Sequence, residues 1–224
     1  MKALLLLSGG IDSTTALAFY TQKGYELTCL TFNYGQKNQF EIHSSKLLAQ
    51  LYKVKEHLFV NIDSQIFNSS SSLNSEKEVE KFECYTPIKD FIPSTYLPSR
   101  NIIFLSFATG IAESRQIENI IFSPNKEDSI DYPDCSINFV DAFNSAINKG
   151  THFGKNANLN ILTPFINKTK SEIIELGLTL NVDYSKTQTC YNPDEKGNPC
   201  LKCDACLLRL QSFNKLNIPK LKQP

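Results

Sequence analysis

Residues 2–13 constrain this chain more than any other stretch. Lys2-Ala-Leu-Leu-Leu-Leu7 is an apolar run of strand length, and Ser8-Gly9-Gly10-Ile11-Asp12-Ser13 follows at once. Residues 14–20, Thr-Thr-Ala-Leu-Ala-Phe-Tyr, then read as a helix. A strand, a glycine-rich turn and a helix start together form a cradle for an anion. The glycines let backbone approach closely, the first helical N–H groups have no partner of their own, and the helix dipole favours negative charge there. No Gly-Lys-Ser/Thr is present, so the turn differs from the Walker-type loop. Packing alone does not call for two adjacent glycines flanked by serines and an aspartate.

The rest of the chain supplies a sheet for that turn. Residues 26–34 read as a second strand, 36–52 as a helix with Phe40, Leu47, Leu48 and Leu51 on one face, and 55–63 as a third strand. Such β-α-β-α-β order predicts an α/β fold with a doubly wound, mainly parallel sheet. Residues 64–99 break the rhythm with a serine run at 69–72, a charged run at 76–83, and Pro87, Pro93 and Pro98. A loop of that length suits a cover over a site or a partner-binding excursion. Residues 102–115 read as a helix apolar on most faces, 119–122 as a strand, 123–135 as a polar loop, 137–149 as a helix and 160–163 as a short strand. Thr169-Lys-Ser-Glu172 has the capping-box pattern of a helix that ends at Gly177. After Asp183 the chain turns short, polar and cysteine-rich. This divides it into an α/β unit over 1–183 and a small C-terminal region over 184–224.

Cys190, Cys200, Cys203 and Cys206 form a Cys-x9-Cys-x2-Cys-x2-Cys array. Four thiolates at tetrahedral corners suit one structural zinc ion; an iron–sulfur cluster is the alternative with the same ligands. The chain has seven cysteines in all and no signal-peptide core, which favours metal ligation over disulfides and a cytoplasmic location. Lysines plus arginines and aspartates plus glutamates both number 23 over 224 residues. Zero formal charge leaves no footprint for bulk binding to nucleic acid, and no run is long enough to span a membrane. His43, His57 and His152 have no ligand spacing and read as structural or surface residues.

The opening Ser8-Gly-Gly-Ile-Asp-Ser-Thr-Thr15 resembles the pyrophosphate loop, or PP-loop, of enzymes that adenylate a substrate oxygen. Further segments, in order, are Leu30-Thr-Phe-Asn-Tyr-Gly-Gln36, Tyr96-Leu-Pro-Ser-Arg-Asn-Ile-Ile-Phe-Leu-Ser106, Asp128 with Tyr132-Pro-Asp-Cys135, Thr163-Pro-Phe-Ile166, Lys170-Ser-Glu-Ile173 and the cysteine tail. Together they resemble the 7-cyano-7-deazaguanine synthase family of the queuosine pathway over nearly the whole chain. The resemblance implies an adenine nucleotide alpha hydrolase-like fold, a homodimer, structural zinc, and ATP with Mg²⁺ as co-substrate. The implied reaction joins 7-carboxy-7-deazaguanine and ammonia into an amide and dehydrates it to a nitrile. The ATP-binding residues expected are Leu7, Ser8, Gly9, Gly10, Ile11, Asp12, Ser13, Thr14, Thr15, Ala16, Leu17, Phe32 and Tyr34. Those expected to bind substrate are Tyr96, Arg100, Asn101, Asp128, Tyr132, Asp134 and Lys170, with Asp12, Ser13, Arg100 and Asp128 catalytic.

Physical reasoning assigns roles to several of these. Phe32 and Tyr34 close the second strand beside the first, where open α/β sheets bind ligands. Asp12 can hold Mg²⁺ or cap its helix. A guanidinium at Arg100 can clamp a phosphate or carboxylate. Lys170 sits in a helix's first turn, where the dipole disfavours a cation, so it calls for an anionic partner. The chain departs from the family pattern at Ser123, at Ile130-Asp131, at Ser136 and at Leu201. Three of these fall in one loop expected near the deazaguanine. They motivate two alternatives: joining a deazaguanine-like acid to an amine on another molecule such as a protein, or a tRNA-modifying relative on the same ATP fold. A non-catalytic zinc module would leave the glycine loop unexplained.

Overall fold

A computed structural model describes residues 1–67, 71–85 and 92–218. Within the long segment expected over 64–99, Ser69 and Pro87 therefore lie outside the described residues. Strands β1 (Lys2–Leu6), β2 (Glu26–Asn33), β3 (Glu56–Asn61), β4 (Asn119–Ile121) and β5 (Asn160–Leu162) form one parallel sheet in the order β3-β2-β1-β4-β5. The helices are α1 (Ile11–Gln22), α2 (Phe40–Leu51), α3 (Arg100–Arg115), α4 (Asp128–Asp131), α5 (Ile137–Gly150), α6 (His152–Ala157), α7 (Lys170–Thr179) and α8 (Asp204–Lys215).

The strand period sends Ala3, Leu5 and Leu7 to one face of the sheet and Leu4 to the other, and each face has its own core. On the first lie Ala16 and Leu17 of α1, Leu48 of α2, Ile173 and Ile174 of α7, and Phe213 of α8. On the second lie Leu105, Ala108 and Ala112 of α3 with Val140 and Ile147 of α5. From β1 the chain winds outward through β2 to β3, then crosses back to place β4 on the other side of β1. That reversal opens a crevice above the carboxyl ends of β1 and β4, where ligands of open α/β sheets bind.

Three local expectations change in the fold. Helix α2 starts at Phe40 rather than 36, because the polar residues before it bond elsewhere. Gln36 accepts from the Tyr34 amide at 2.9 Å, and Asn38 donates to the Cys190 carbonyl at 2.7 Å. The buried residues of α2 are Ser45, Leu48 and Ala49, whereas Leu47 and Leu51 are exposed. Small residues face inward here because the backbone of Gly9 packs directly on this helix. Helix α3 buries one face only and leaves Ile102 and Phe107 exposed. The cysteine-rich tail, for which the sequence reading named no helix, contains the three-turn α8. Its buried residues are Cys206, Arg209, Ser212 and Phe213, so half of its inward stripe is polar and periodicity of apolar residues does not reveal it.

The described part of the long segment lies across the molecule. Leu73 accepts from the Lys37 amide at 2.9 Å, Val79 packs among the cysteines, and the Phe82 amide donates to the Lys202 carbonyl at 2.8 Å. No helix among the described residues is long and apolar enough to cross a membrane.

Candidate active site

The crevice holds a cavity of about 290 Å³. At its floor the chain turns from β1 into α1. Gly9 has φ +85°, and a Cβ there would stand 2.4 Å from the Glu41 carbonyl oxygen and 2.9 Å from the Ser45 nitrogen. Only glycine fits that position. Gly10 is the N-cap residue, with φ −84°, and no side chain caps α1. The first-turn N–H groups of Ile11, Asp12 and Ser13 therefore have no acceptor within the helix. The Ser8 and Ser13 hydroxyls bond each other at 3.0 Å, and the Gly9 carbonyl accepts from the Gln188 amide at 2.9 Å. The C-terminal region thus holds the glycine loop from outside.

Asp12 does not cap its helix. Its Oδ2 pairs with Lys170 Nζ and accepts from Asn125 Nδ2 at 3.1 Å, while its Oδ1 is buried without a partner. These contacts span the crevice, from α1 to the loop after β4 and to the start of α7. Lys170 is 9% exposed. Burial opposes its charge, but Asp12 and Asp128 more than offset that, and its pKa is raised. The α7 start tolerates the cation because Glu127 accepts from the Lys170 amide at 3.1 Å and the Thr169–Glu172 capping box is complete. Asp128 and Asn125 exchange hydrogen bonds at 3.1 and 2.9 Å. Burial and the nearby Asp12 raise the Asp128 carboxyl to about 6, against the pull of Lys170.

The other side of the cavity is aromatic. Phe32 and Phe104 stack at 4.0 Å with 4° between planes, and Tyr34 lies 5.5 Å from Phe104. Half-buried Arg100 opens α3 here, with Tyr34, Tyr132 and Tyr191 around it. Among the described residues no carboxylate lies within ion-pair distance of it. Tyr132 bonds Thr95 at 2.9 Å and stacks beside Tyr96, with centroids 6.3 Å apart.

Of the residues expected from sequence, the cavity wall contains Leu7, Ser8, Gly10, Ile11, Asp12, Ser13, Phe32, Tyr34, Arg100, Asn101, Asp128, Tyr132 and Lys170. The others stand behind or beside it. Gly9 packs on α2. Thr14 donates to the Gly10 carbonyl at 2.6 Å, and Thr15 bonds the Tyr184 hydroxyl at 2.8 Å. Ala16 and Leu17 are wholly buried in the core. Asp134 accepts from the Asn101 amide at 2.9 Å, which caps α3 from another segment, and Tyr96 lies behind Tyr132.

Sequence reasoning passed over Glu41, Glu127, Asn125 and Gln188. Glu41 lines the cavity, accepts from Gln36 Nε2 at 2.7 Å, and is raised by burial to about 7. The only signal was its place five residues after the Gln36 that ends a recognised segment. Asp131, at a position where the resemblance expects glycine, also lines the wall, and burial raises its carboxyl.

Beside this cavity the sulfur atoms of Cys190, Cys200, Cys203 and Cys206 lie within 4.8 Å of one another, with Cys200 and Cys206 at 4.0 Å. A tetrahedral ion with ligand bonds of about 2.3 Å needs sulfurs about 3.8 Å apart. The Asn192 and Cys200 amides donate to Cys190 Sγ at 3.3 and 3.2 Å, and the Cys203 amide to Cys200 Sγ at 3.3 Å. Those donors suit thiolates, so the donor set fits a metal ion held by four sulfurs. His57 bonds Thr31 at 2.8 Å, and burial lowers it to about 4, as fits a packed structural histidine.

The fold resembles that of a predicted subunit of a tRNA methyltransferase from Methanocaldococcus jannaschii, with TM-score 0.51 and 14% identity over 80% of this chain and 76% of that one. It also resembles a 4-thiouridine synthetase solved with RNA and bound ATP, with TM-score 0.50 and 16% identity over 96% of this chain and 51% of that one. Both likenesses are of fold: an α/β architecture around a parallel sheet. In sequence the chain is 41% identical to the 7-cyano-7-deazaguanine synthase of Rickettsia rickettsii (strain Sheila Smith), over 97% of this chain and 96% of the relative. It is 40% identical to that of Rickettsia bellii (strain OSU 85-389), over 97% and 95%. The family described as queuosine biosynthesis protein QueC matches residues 2–217, glycine loop and cysteine cluster included, and the chain belongs to that family.

Proposed function

We propose that this chain converts 7-carboxy-7-deazaguanine, ammonia and ATP into 7-cyano-7-deazaguanine. The observation that carries the reading is one cavity joining the glycine turn to an aromatic slot, with a guanidinium beside the slot that has no ion pair among the described residues. A carboxylate resists ammonia because oxide is a poor leaving group. Attack by its oxygen on the α-phosphorus of ATP expels pyrophosphate and gives an acyl-adenylate. Ammonia then adds at the acyl carbon and AMP leaves, giving the amide. Adenylation of the amide oxygen by a second ATP, with loss of AMP and both N–H protons, leaves the nitrile.

The protein's part is positioning and charge stabilisation. The amides at 11–13, with the Ser8 and Ser13 hydroxyls, hold the pyrophosphate, and Lys170 answers its charge. Phe32 and Phe104 form a flat wall for a heterocycle. Arg100 holds the carboxylate before it reacts and the adenylate phosphate afterwards. Asp12 Oδ1 and Asp128 are hard oxygen donors in a crowded anionic site, which suits Mg²⁺ travelling with ATP. The four cysteines hold one structural zinc ion, which leaves no open position for chemistry. Asp131 favours one alternative, a changed acceptor in place of ammonia, because it adds a carboxylate to the wall. Mass spectrometry of a reaction with ATP, the acid and ammonium tests both. Amide and nitrile products are expected, and ATP consumption without either would favour the changed acceptor.

A further inference from the structure

A second cavity of about 300 Å³ lies beside the glycine loop, between the start of α2 and residues 185–189 and 196–199. Its charged lining is entirely cationic: Lys186, Lys196 and Arg209, with His43 at the rim. Among the described residues neither lysine has a carboxylate within ion-pair distance. Two neighbouring acids accept hydrogen bonds within their own turns. Asp194 accepts from the Lys196 and Asn198 amides at 2.9 and 2.8 Å, and Asp183 from the Ser185 amide at 3.0 Å.

Arg209 gives this cavity a built wall. It is 6% exposed, and no carboxylate among the described residues pairs with it. Its guanidinium donates to Thr187 Oγ1 at 2.9 Å, Thr189 Oγ1 at 3.2 Å and the Tyr184 carbonyl at 2.8 Å, while Nε is buried without a partner. These acceptors are all neutral, and the sulfur of Cys206, one turn earlier on α8, is the charge that faces it; Lys186 and Lys196 are the cations on the open side of the cavity. Gln188, Thr189 and Arg209 line both cavities, and the Gln188 amide bonds the Gly9 carbonyl. One layer of chain therefore separates this volume from the anion cradle.

We propose that the second cavity binds inorganic pyrophosphate, the product of adenylation once released; this rests on the function proposed above. The occupant is a compact polyphosphate and not a nucleic-acid backbone, because the cations converge on a small volume in a chain of zero formal charge. Lys186 and Lys196 line only this cavity, which separates its role from that of the catalytic one.

Isothermal titration calorimetry on the full metal-loaded chain tests it, with the first cavity saturated by α,β-methylene-ATP and pyrophosphate as titrant. One further equivalent is expected to bind. The Lys186→Gln/Lys196→Gln double variant is expected to lose about tenfold or more in that affinity and to keep its affinity for the ATP analogue. Absence of the further equivalent, or unchanged binding by the double variant, overturns the proposal. So does tRNA that displaces pyrophosphate and binds through the same two lysines. AMP formation from ATP, acid and ammonium is measured on the same preparations. No AMP sinks the synthase reading, whereas AMP without a second pyrophosphate site sinks only this inference.

Discussion

Helix α1 begins after Gly10 and helix α8 after Cys203, and neither N-cap residue donates a side-chain hydrogen bond acceptor to its helix. Each start therefore has spare N–H groups and a positive dipole end. At α8 the start lies beside the cysteine cluster. Cys203 and Cys206 are buried, and the amides of Asn192, Cys200 and Cys203, outside the helix itself, donate to the Cys190 and Cys200 sulfurs. At α1 the loop offers serine hydroxyls and glycine backbone, and the carboxylate of its own first turn, Asp12, is drawn off by Lys170. The same kind of helix start thus sits beside four clustered sulfurs in one place and beside an open cavity in the other.

The largest expected effect probes the open start. Gly9→Ala places a methyl group 2.4 Å from a backbone oxygen at positive φ. It is expected to abolish ATP consumption and to destabilise the fold by about 3 kcal/mol or more. Gly10→Ala meets nothing closer than 3.4 Å and is expected to fold normally and lose less than about tenfold in activity. Thermal melts and AMP release measure both, and equal behaviour of the two variants would erase the distinction between them.

Cys203→Ser is next and acts on the start beside the cysteine cluster. Metal content by elemental analysis is expected to fall by most of an equivalent, with a loss of about 3 kcal/mol or more in stability. Retention of full metal would remove Cys203 from the ligand set.

Glu41 sharpens the comparison through pH, because the cavity wall leaves a half-buried carboxyl with no ion pair among the described residues. Its folded pKa of about 7 lies above the 4.5 of an unperturbed glutamate. The stability it contributes is therefore complete below pH 4.5 and is lost as pH rises through 7. Glu41→Gln should match the parent near pH 4.5 and exceed it by about 1–2 kcal/mol at pH 8, read as a shift of a few degrees in Tm. A difference that does not vary with pH would show that this carboxyl is not perturbed.

The smallest effect is at Ser123, whose hydroxyl is buried in the cavity wall without a partner. Ser123→Ala is expected to stabilise the unliganded protein by about 1 kcal/mol and to weaken binding of the acid by less than about tenfold. Differential scanning calorimetry with and without the acid separates the two contributions. Destabilisation of the free protein would mean that the hydroxyl is already satisfied.

Much of this was legible in the chain because the features are local. The glycine loop, the capping box at Thr169–Glu172 and the cysteine spacing each lie within a short run of residues, and each has one physical reason to exist. The parallel sheet followed from strands alternating with helices. The inward face of α2 was not legible, because Gly9 comes from a distant segment and selects Ser45 and Ala49 over Leu47 and Leu51. Nor was α8, whose buried stripe includes Cys206, Arg209 and Ser212. Glu41 was missed for a similar reason: a glutamate near a helix start looks ordinary until the cavity wall encloses it.

The amino-acid sequence alone determined the glycine turn between β1 and α1, the alternation of strands and helices through the sheet, the spacing of the four clustered cysteines and the family. Backbone conformation and ligand chemistry at those places depend on neighbours in sequence. Only the tertiary structure decided that Asp12 meets Lys170 and Asn125, that Gln188 braces Gly9, that Asp134 caps α3, and that Arg209 borders two cavities. Those pairings join residues up to 179 positions apart (Gln188 minus Gly9). They exist because the crossover from β3 to β4 brings separate loops to one edge of the sheet, where burial strengthens each charge and makes its partner matter.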